Sequence, residues 1–193
     1  MTDKRDAPFW ENSLLEFRKR IAAATPAPGG GAVAAVTASF AAALLQMVCS
    51  ISVKRKPDAR INAIAGEVKL CEEELARCAE EDIRVFDQYM AARKIQSASA
   101  HADTQRCLLA CTEVPLAAAE TIVKLEVYAV EMASKTPEFL SSDFATARYL
   151  LDASRKALLA NVTINLVDLE DGEAKGAVLR CLETLQGDAN SGG

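Results

Sequence analysis

From Ile21 to Val53 the chain carries no charged side chain, and within that stretch Thr25-Pro26-Ala27-Pro28-Gly29-Gly30-Gly31 gives way to an alanine-rich run over 32–53. A helix made from residues 32–53 has no polar face and must be surrounded. Its length alone would let it span a bilayer, for which about 20 apolar residues suffice. Its composition argues otherwise. Seven of its 22 residues are alanine, and Thr37, Ser39, Gln46, Ser50 and Ser52 add hydrogen-bonding groups, so transfer into hydrocarbon gains little compared with a leucine-rich span. Small side chains instead let neighbouring helices approach closely, which suits the centre of a bundle or a helix shared across a subunit interface.

The rest of the chain points to one all-α domain. Its 193 residues match an ordinary single domain, and 36 alanines with only 5% aromatic residues favour helix over sheet. We expect a bundle of about six helices around the alanine-rich one, occupying residues 1–187, with a mobile glycine-rich tail at 188–193. A first helix should start after Asn12 or Ser13 and carry Leu14, Leu15, Phe17 and Ile21 inward. A third should open at Asp58 as N-cap and run towards Ile95. After a polar break from Ser97 to Thr104, a fourth runs to about Ser134 with Pro115 inside it, where proline removes a backbone hydrogen bond. Ser142 or Asp143 reads as the N-cap of a fifth helix, and a sixth covers about Gly172 to Gln186.

Charge and cysteine usage exclude several functions. A net charge of -5 offers no electrostatic footprint for a nucleic-acid backbone. The opening Met-Thr-Asp-Lys-Arg-Asp lacks the apolar core of a secretory signal, so a cytoplasmic protein is expected, outside the membrane. In that reducing setting the six cysteines read as small buried thiols. Cys107 and Cys111 lie one helical turn apart, yet the chain has one histidine and no Cys-x-x-Cys, so no metal site is expected. That histidine, His101, falls in the polar linker and reads as a surface residue, which leaves acid-base work to carboxylates, Lys, Tyr or Cys.

The third helix holds the most informative position. Steps of three and four residues give Ile61, Ile64, Val68, Cys71, Leu75 and Cys78, then Asp82, then Val85 and Tyr89. A carboxylate in an apolar seam is costly unless it has a partner or a use. A structural ion pair and a solvent-facing end of the seam are the alternatives. Gly29, Gly30 and Gly31 place unpaired N–H groups at the positive end of the alanine-rich helix, which suits an anion or polar ligand but also a simple tight turn. Asn161 and Asn165 lie one turn apart on one face, able to grip a shared polar object or to stand idle on the surface.

These blocks together resemble the formimidoyltetrahydrofolate cyclodeaminase and methenyltetrahydrofolate cyclohydrolase family. Thr25–Ala35 is similar to its T-P-x-P-G-G-G-[SA]-V-A-A signature. Glu81-Asp82, Phe86, Met90-Ala91-Ala92 and Lys94 resemble a second block, Glu113-Val114-Pro115-Leu116 a third, and Ser142-Asp143 with Asn161-Val162-Thr163-Ile164-Asn165-Leu166 the last. The resemblance implies an all-helical homodimer acting on one-carbon units between N5 and N10 of tetrahydrofolate, with the folate as substrate and no further cofactor. It implies Asp82 and Asp143 as catalytic groups, and Pro28, Gly29, Gly30, Gly31, Lys94, Ser142, Asn161 and Asn165 as substrate-binding residues. The family usually has proline where this chain has Gln96, and asparagine near Pro137. A folate-binding protein of the same fold without turnover is the alternative.

Overall fold

The computed structural model describes residues 9–95 and 100–187. The expected tail at 188–193, the N-terminal hexapeptide and Gln96 lie outside these. Six α-helices follow in order: α1 (Leu14–Ile21), α2 (Gly30–Arg55), α3 (Ala59–Ala92), α4 (Ala100–Met132), α5 (Ser141–Asp168) and α6 (Glu173–Gly187), with single 3-10 turns at Phe9–Glu11 and Glu138–Leu140. No strand occurs among the described residues.

Helices α2 to α5 form a four-helix bundle in which α2 packs on α3 and α5, α3 on α4, and α4 on α5. Short connections make neighbours antiparallel. The α2–α3 turn is set by Asp58, whose carboxylate accepts from the N–H groups of Arg60 and Ile61 at 2.8 and 3.0 Å, as its N-cap position demands. Alanines make the closest contacts: Ala32, Ala38, Ala41 and Ala42 of α2 are wholly buried beside Leu45 and Val48. The helix is long and apolar enough to cross a membrane, and most of that stretch is covered here by its neighbours. One stripe of α2, Val33, Thr37, Phe40, Leu44, Met47 and Ile51, spaced by four and three, stays half-buried or exposed.

Three expectations are corrected. Ser13 does cap α1, its Oγ accepting from the Glu16 N–H at 3.1 Å, but Leu14, Leu15 and Ile21 are exposed. Eight residues carrying Glu16, Arg18, Lys19 and Arg20 are too short and too charged to bury an apolar face. Only Phe17 turns inward, into an aromatic cluster with Phe9, Trp10 and Phe40, anchored by Trp10 Nε1 donating to the Ala76 carbonyl at 3.1 Å. The linker ahead of α4 is shorter than expected, because α4 begins at Ala100; His101 is exposed in its first turn and meets Glu170 at 2.5 Å. Neither Ser142 nor Asp143 caps α5. The 3-10 turn at Glu138–Leu140 runs straight into the helix, so Leu140 occupies the cap position and both residues fall inside the first turn.

All six cysteines are free, and Cys49, Cys71, Cys78 and Cys111 are buried. Helix α6 is tied to the bundle by Arg155 of α5, a buried cation whose guanidinium donates to Glu126 at 3.1 Å, Asp152 at 3.4 Å and the Leu185 carbonyl at 3.2 Å. Both carboxylates are partly exposed and would rehydrate if the cation were lost. Arg155→Ala should therefore cost about 2 kcal/mol, below the full penalty for orphaning a buried ion. Denaturant melts would show the loss, and hydrogen exchange would show α6 opening before the rest.

Candidate active site

The antiparallel packing brings four elements to one level of the bundle: the N-terminus of α2, the middle of α3 at Asp82, α4 at Cys111 and α5 at Asn161 and Asn165. Gly31 makes the closest approach. A Cβ added there would lie 2.2 Å from Asp82 Oδ1 and 2.7 Å from its Cγ, and one added at Gly30 would lie 3.4 Å from Asn161 Nδ2. Gly31 is therefore the seat of the Asp82 side chain, which only the absence of a Cβ there lets in, while Asn161 rests in ordinary contact over Gly30.

Asp82 is the group the seam pattern singles out, and it makes no ion pair among the described residues. Its carboxylate accepts a hydrogen bond from the Ala32 backbone N–H, while burial pushes its pKa above the ordinary carboxylate range, burial being the larger influence. Gly29, at the N-cap position of α2, offers no side-chain cap. Asp82 thus supplies from a neighbouring helix the acceptor that a local Ser or Asp would supply. The structural ion pair weighed above is absent, and the glycines do more than turn the chain.

The asparagines share a face as their spacing requires, and each is held by its amide nitrogen. Asn161 Nδ2 donates to the Ala157 carbonyl at 2.8 Å, and Asn165 Nδ2 donates to the Cys111 carbonyl at 2.9 Å. Cys111 itself is inert: burial first, then the Asp82 charge and Cys107, push its thiol up to about 12.

Three expected site residues stand elsewhere. Ser142 and Asp143 lie 18 residues before Asn161 and more on α5, about 27 Å along the axis at 1.5 Å per residue, beside the C-terminal end of α2, where Arg55 stacks on Phe139. Lys94 is exposed beyond the end of α3, 12 positions after Asp82, which is about 18 Å by the same rise. Pro28 is buried just ahead of the glycines. Sequence reading missed the roles of the Ala32 N–H and the Cys111 carbonyl, although counting back four from Pro115 leads to Cys111. Grooves of 550 and 620 Å³ run between α5 and α6 and between α3 and α4, and neither is lined by Asp82, Gly31, Asn161 or Asn165. The Asp82 cluster is an open shelf on the single chain.

Comparison with known proteins identifies the family and the fold. The family model described as formiminotransferase-cyclodeaminase covers residues 13–184. The chain belongs to the formiminotransferase-cyclodeaminase family. A methenyltetrahydrofolate cyclohydrolase from Methylorubrum extorquens is 28% identical, the match covering 93% of this chain and 92% of that protein. The formimidoyltransferase-cyclodeaminase of Sus scrofa is 29% identical, but the match covers 94% of this chain and only 36% of that longer protein. The crystal structure of formiminotetrahydrofolate cyclodeaminase from Thermotoga maritima superposes with a TM-score of 0.87 at 26% identity, covering 95% of this chain and 93% of that one. The expected family and all-helical fold are therefore both met in this family member.

Two substitutions separate seat from scaffold. Gly66 lies in the interior of α3 with nothing within 4 Å of an added Cβ, so Gly66→Ala should stabilise the protein by about 0.5–1 kcal/mol. Gly31→Ala forces Asp82 away and should destabilise it by about 1–3 kcal/mol; thermal melts distinguish the two signs. Because burial raises the Asp82 pKa, its ionisation works against folding. That penalty is absent below the ordinary aspartate pKa, grows as pH rises through the raised native value, and is complete above it. Asp82→Asn should thus match or exceed the wild-type melting temperature at neutral pH and lose that relative gain on acidification, as paired melts across pH would show.

Proposed function

We propose that the chain is a folate one-carbon enzyme acting on the N5/N10 bridge of tetrahydrofolate, with Asp82 as its acid-base group. The observation that carries this reading is a carboxyl group seated on Gly31, raised in pKa and free of any basic partner. Family membership and the named relatives support the substrate class. In the deaminating direction, N10 attacks the formimino carbon and its proton passes to the formimino nitrogen, a protonated Asp82 gives that nitrogen a second proton, and the C–N bond breaks to release ammonia and leave the methenyl cation. In the hydrolytic direction, water adds to the methenyl carbon as the Asp82 carboxylate takes one of its protons, that proton is passed to N5 as the C–N5 bond breaks, and the hydroxyl proton is released to solvent as the formyl carbonyl forms. Both directions pass through a tetrahedral carbon and share a delocalised cation, which a nearby carboxylate stabilises. Lys94 is suited to the anionic benzoylglutamate end, the part of an extended folate that reaches farthest from the bridge.

Asp143 and Ser142 enter this scheme through a second copy. Helix α5 turns Tyr149, Ile164 and Val167 outward, 75%, 66% and 73% exposed. A two-fold dimer built on this face pairs α5 antiparallel with its mate, which carries the Ser142–Asp143 end of one chain towards Asn161 and Asn165 of the other and closes the open shelf.

Purified protein should change the absorbance of the methenyl chromophore when given methenyltetrahydrofolate or formiminotetrahydrofolate, and Asp82→Asn should lower turnover about a hundredfold or more. Unchanged spectra with both substrates would remove the enzyme reading, and tight folate binding without turnover would mark a binding protein. Mixing inactive Asp82→Asn and Asp143→Asn chains should restore part of the activity through dimers with one intact shared site. No recovery after mixing would place Asp143 outside the chemistry.

A further inference from the structure

Pro115 sits buried inside α4, which continues without a break on either side of it. A proline has no N–H, and its ring crowds the carbonyl four residues earlier, which here belongs to Cys111. That carbonyl must find another donor or remain an unsatisfied buried acceptor. It finds Asn165 Nδ2 of α5 at 2.9 Å, across 54 residues of sequence. With one Nδ2 hydrogen so engaged, the amide has one orientation, which leaves Oδ1 and the second Nδ2 hydrogen uncommitted; among the described residues no donor reaches that oxygen, and the residue is part-exposed. Asn161, one turn away, is in the same condition, its Nδ2 given to Ala157 and its amide lying over Gly30.

We propose that Pro115 is a positioning residue. By withholding the N–H that the Cys111 carbonyl would otherwise receive, it recruits Asn165 Nδ2 and turns Asn165 Oδ1 into a fixed acceptor for the substrate. Side by side, the two asparagines then hold their amides in one orientation, each with Oδ1 as an acceptor and its second Nδ2 hydrogen as a donor. The ligand edge they recognise carries hydrogen-bond donors and acceptors side by side, as the amide edge of a pterin does. This inference rests on the folate reading for the ligand, but the link from Pro115 to Asn165 stands on the geometry alone.

The test uses Pro115→Ala, Asn165→Leu and the double variant in the full chain, with thermal melts and steady-state kinetics on the substrate the wild type turns over. Asn165→Leu strands the Cys111 carbonyl and should lower the melting temperature by about 5 °C. Pro115→Ala restores an intrahelical donor, so in the double variant most of that loss should be recovered although two contacts have been removed. In Pro115→Ala alone, Asn165 is released from its clamp, and KM should rise about tenfold with kcat changed less than threefold. A merely structural proline would not produce that split. Additive melting shifts in the double variant would overturn the link, and a wild-type KM in a folded Pro115→Ala protein would overturn the positioning role. If the wild type turns over neither folate, the kinetic arm fails with the folate reading, while the melting arm still decides whether Pro115 and Asn165 are coupled.

Discussion

The contact between Gly31 and Asp82 holds the rest of the site in place. A helix start leaves its first N–H groups without intrahelical partners, and the usual remedy is a side chain at the N-cap. Here the N-cap is Gly29, which has none, and the acceptor for the Ala32 N–H arrives from α3. Three things follow from one arrangement. The backbone of α2 must be bare where α3 crosses it, so residue 31 is glycine. The alanine content of α2 must be high, so that α3 and α5 pack close enough for a short aspartate to reach. The carboxyl must surrender much of its hydration, and its pKa rises in consequence.

That last effect ties stability to chemistry. A serine at position 29 would cap α2 locally at no cost in buried charge. The observed arrangement instead places an ionisable group where desolvation disfavours its charged form, with a single backbone dipole opposing the shift. A carboxyl so placed stays protonated to higher pH than one in water, so more of it is in the acid form that can give a proton to a departing nitrogen. The ion pairs of the protein lie elsewhere, in exposed pairs such as Arg60 with Glu131 and in the Arg155 cluster, and none of them quenches Asp82.

Much of this was legible in the chain. The seam from Ile61 to Tyr89 located Asp82 because a helix repeats every three to four residues and a carboxylate violates that repeat. The glycine run located the start of α2, and Asp58 and Ser13 located two caps through their side-chain oxygens. What sequence could not carry was the pairing of levels between helices. Nothing local to Ser142 and Asp143 says that α5 runs about 27 Å from them before reaching Asn161, and family resemblance groups residues by role without saying which chain supplies them. The burial of α1 was also misjudged, because Leu14, Leu15 and Ile21 have helical spacing but the charges between them leave no second face to cover. Pro115 was legible as an interruption of α4, while its consequence for Asn165 needed the position of α5.

The open side of the site and the exposed side of α5 bear on one another. A shelf made of Asp82, the α2 N-terminus and two amide oxygens is only part-buried when it stands alone, and electrostatic stabilisation of a developing charge weakens in proportion to the water it shares. Tyr149, Ile164 and Val167 present an apolar face along the same helix that carries both asparagines and, at its other end, Ser142 and Asp143. A helix paired antiparallel with its own copy superimposes its two ends. The separation that excludes Asp143 from the site within one chain is therefore the separation a two-fold axis removes, and the surface that would drive such pairing is the surface whose burial would dry the shelf.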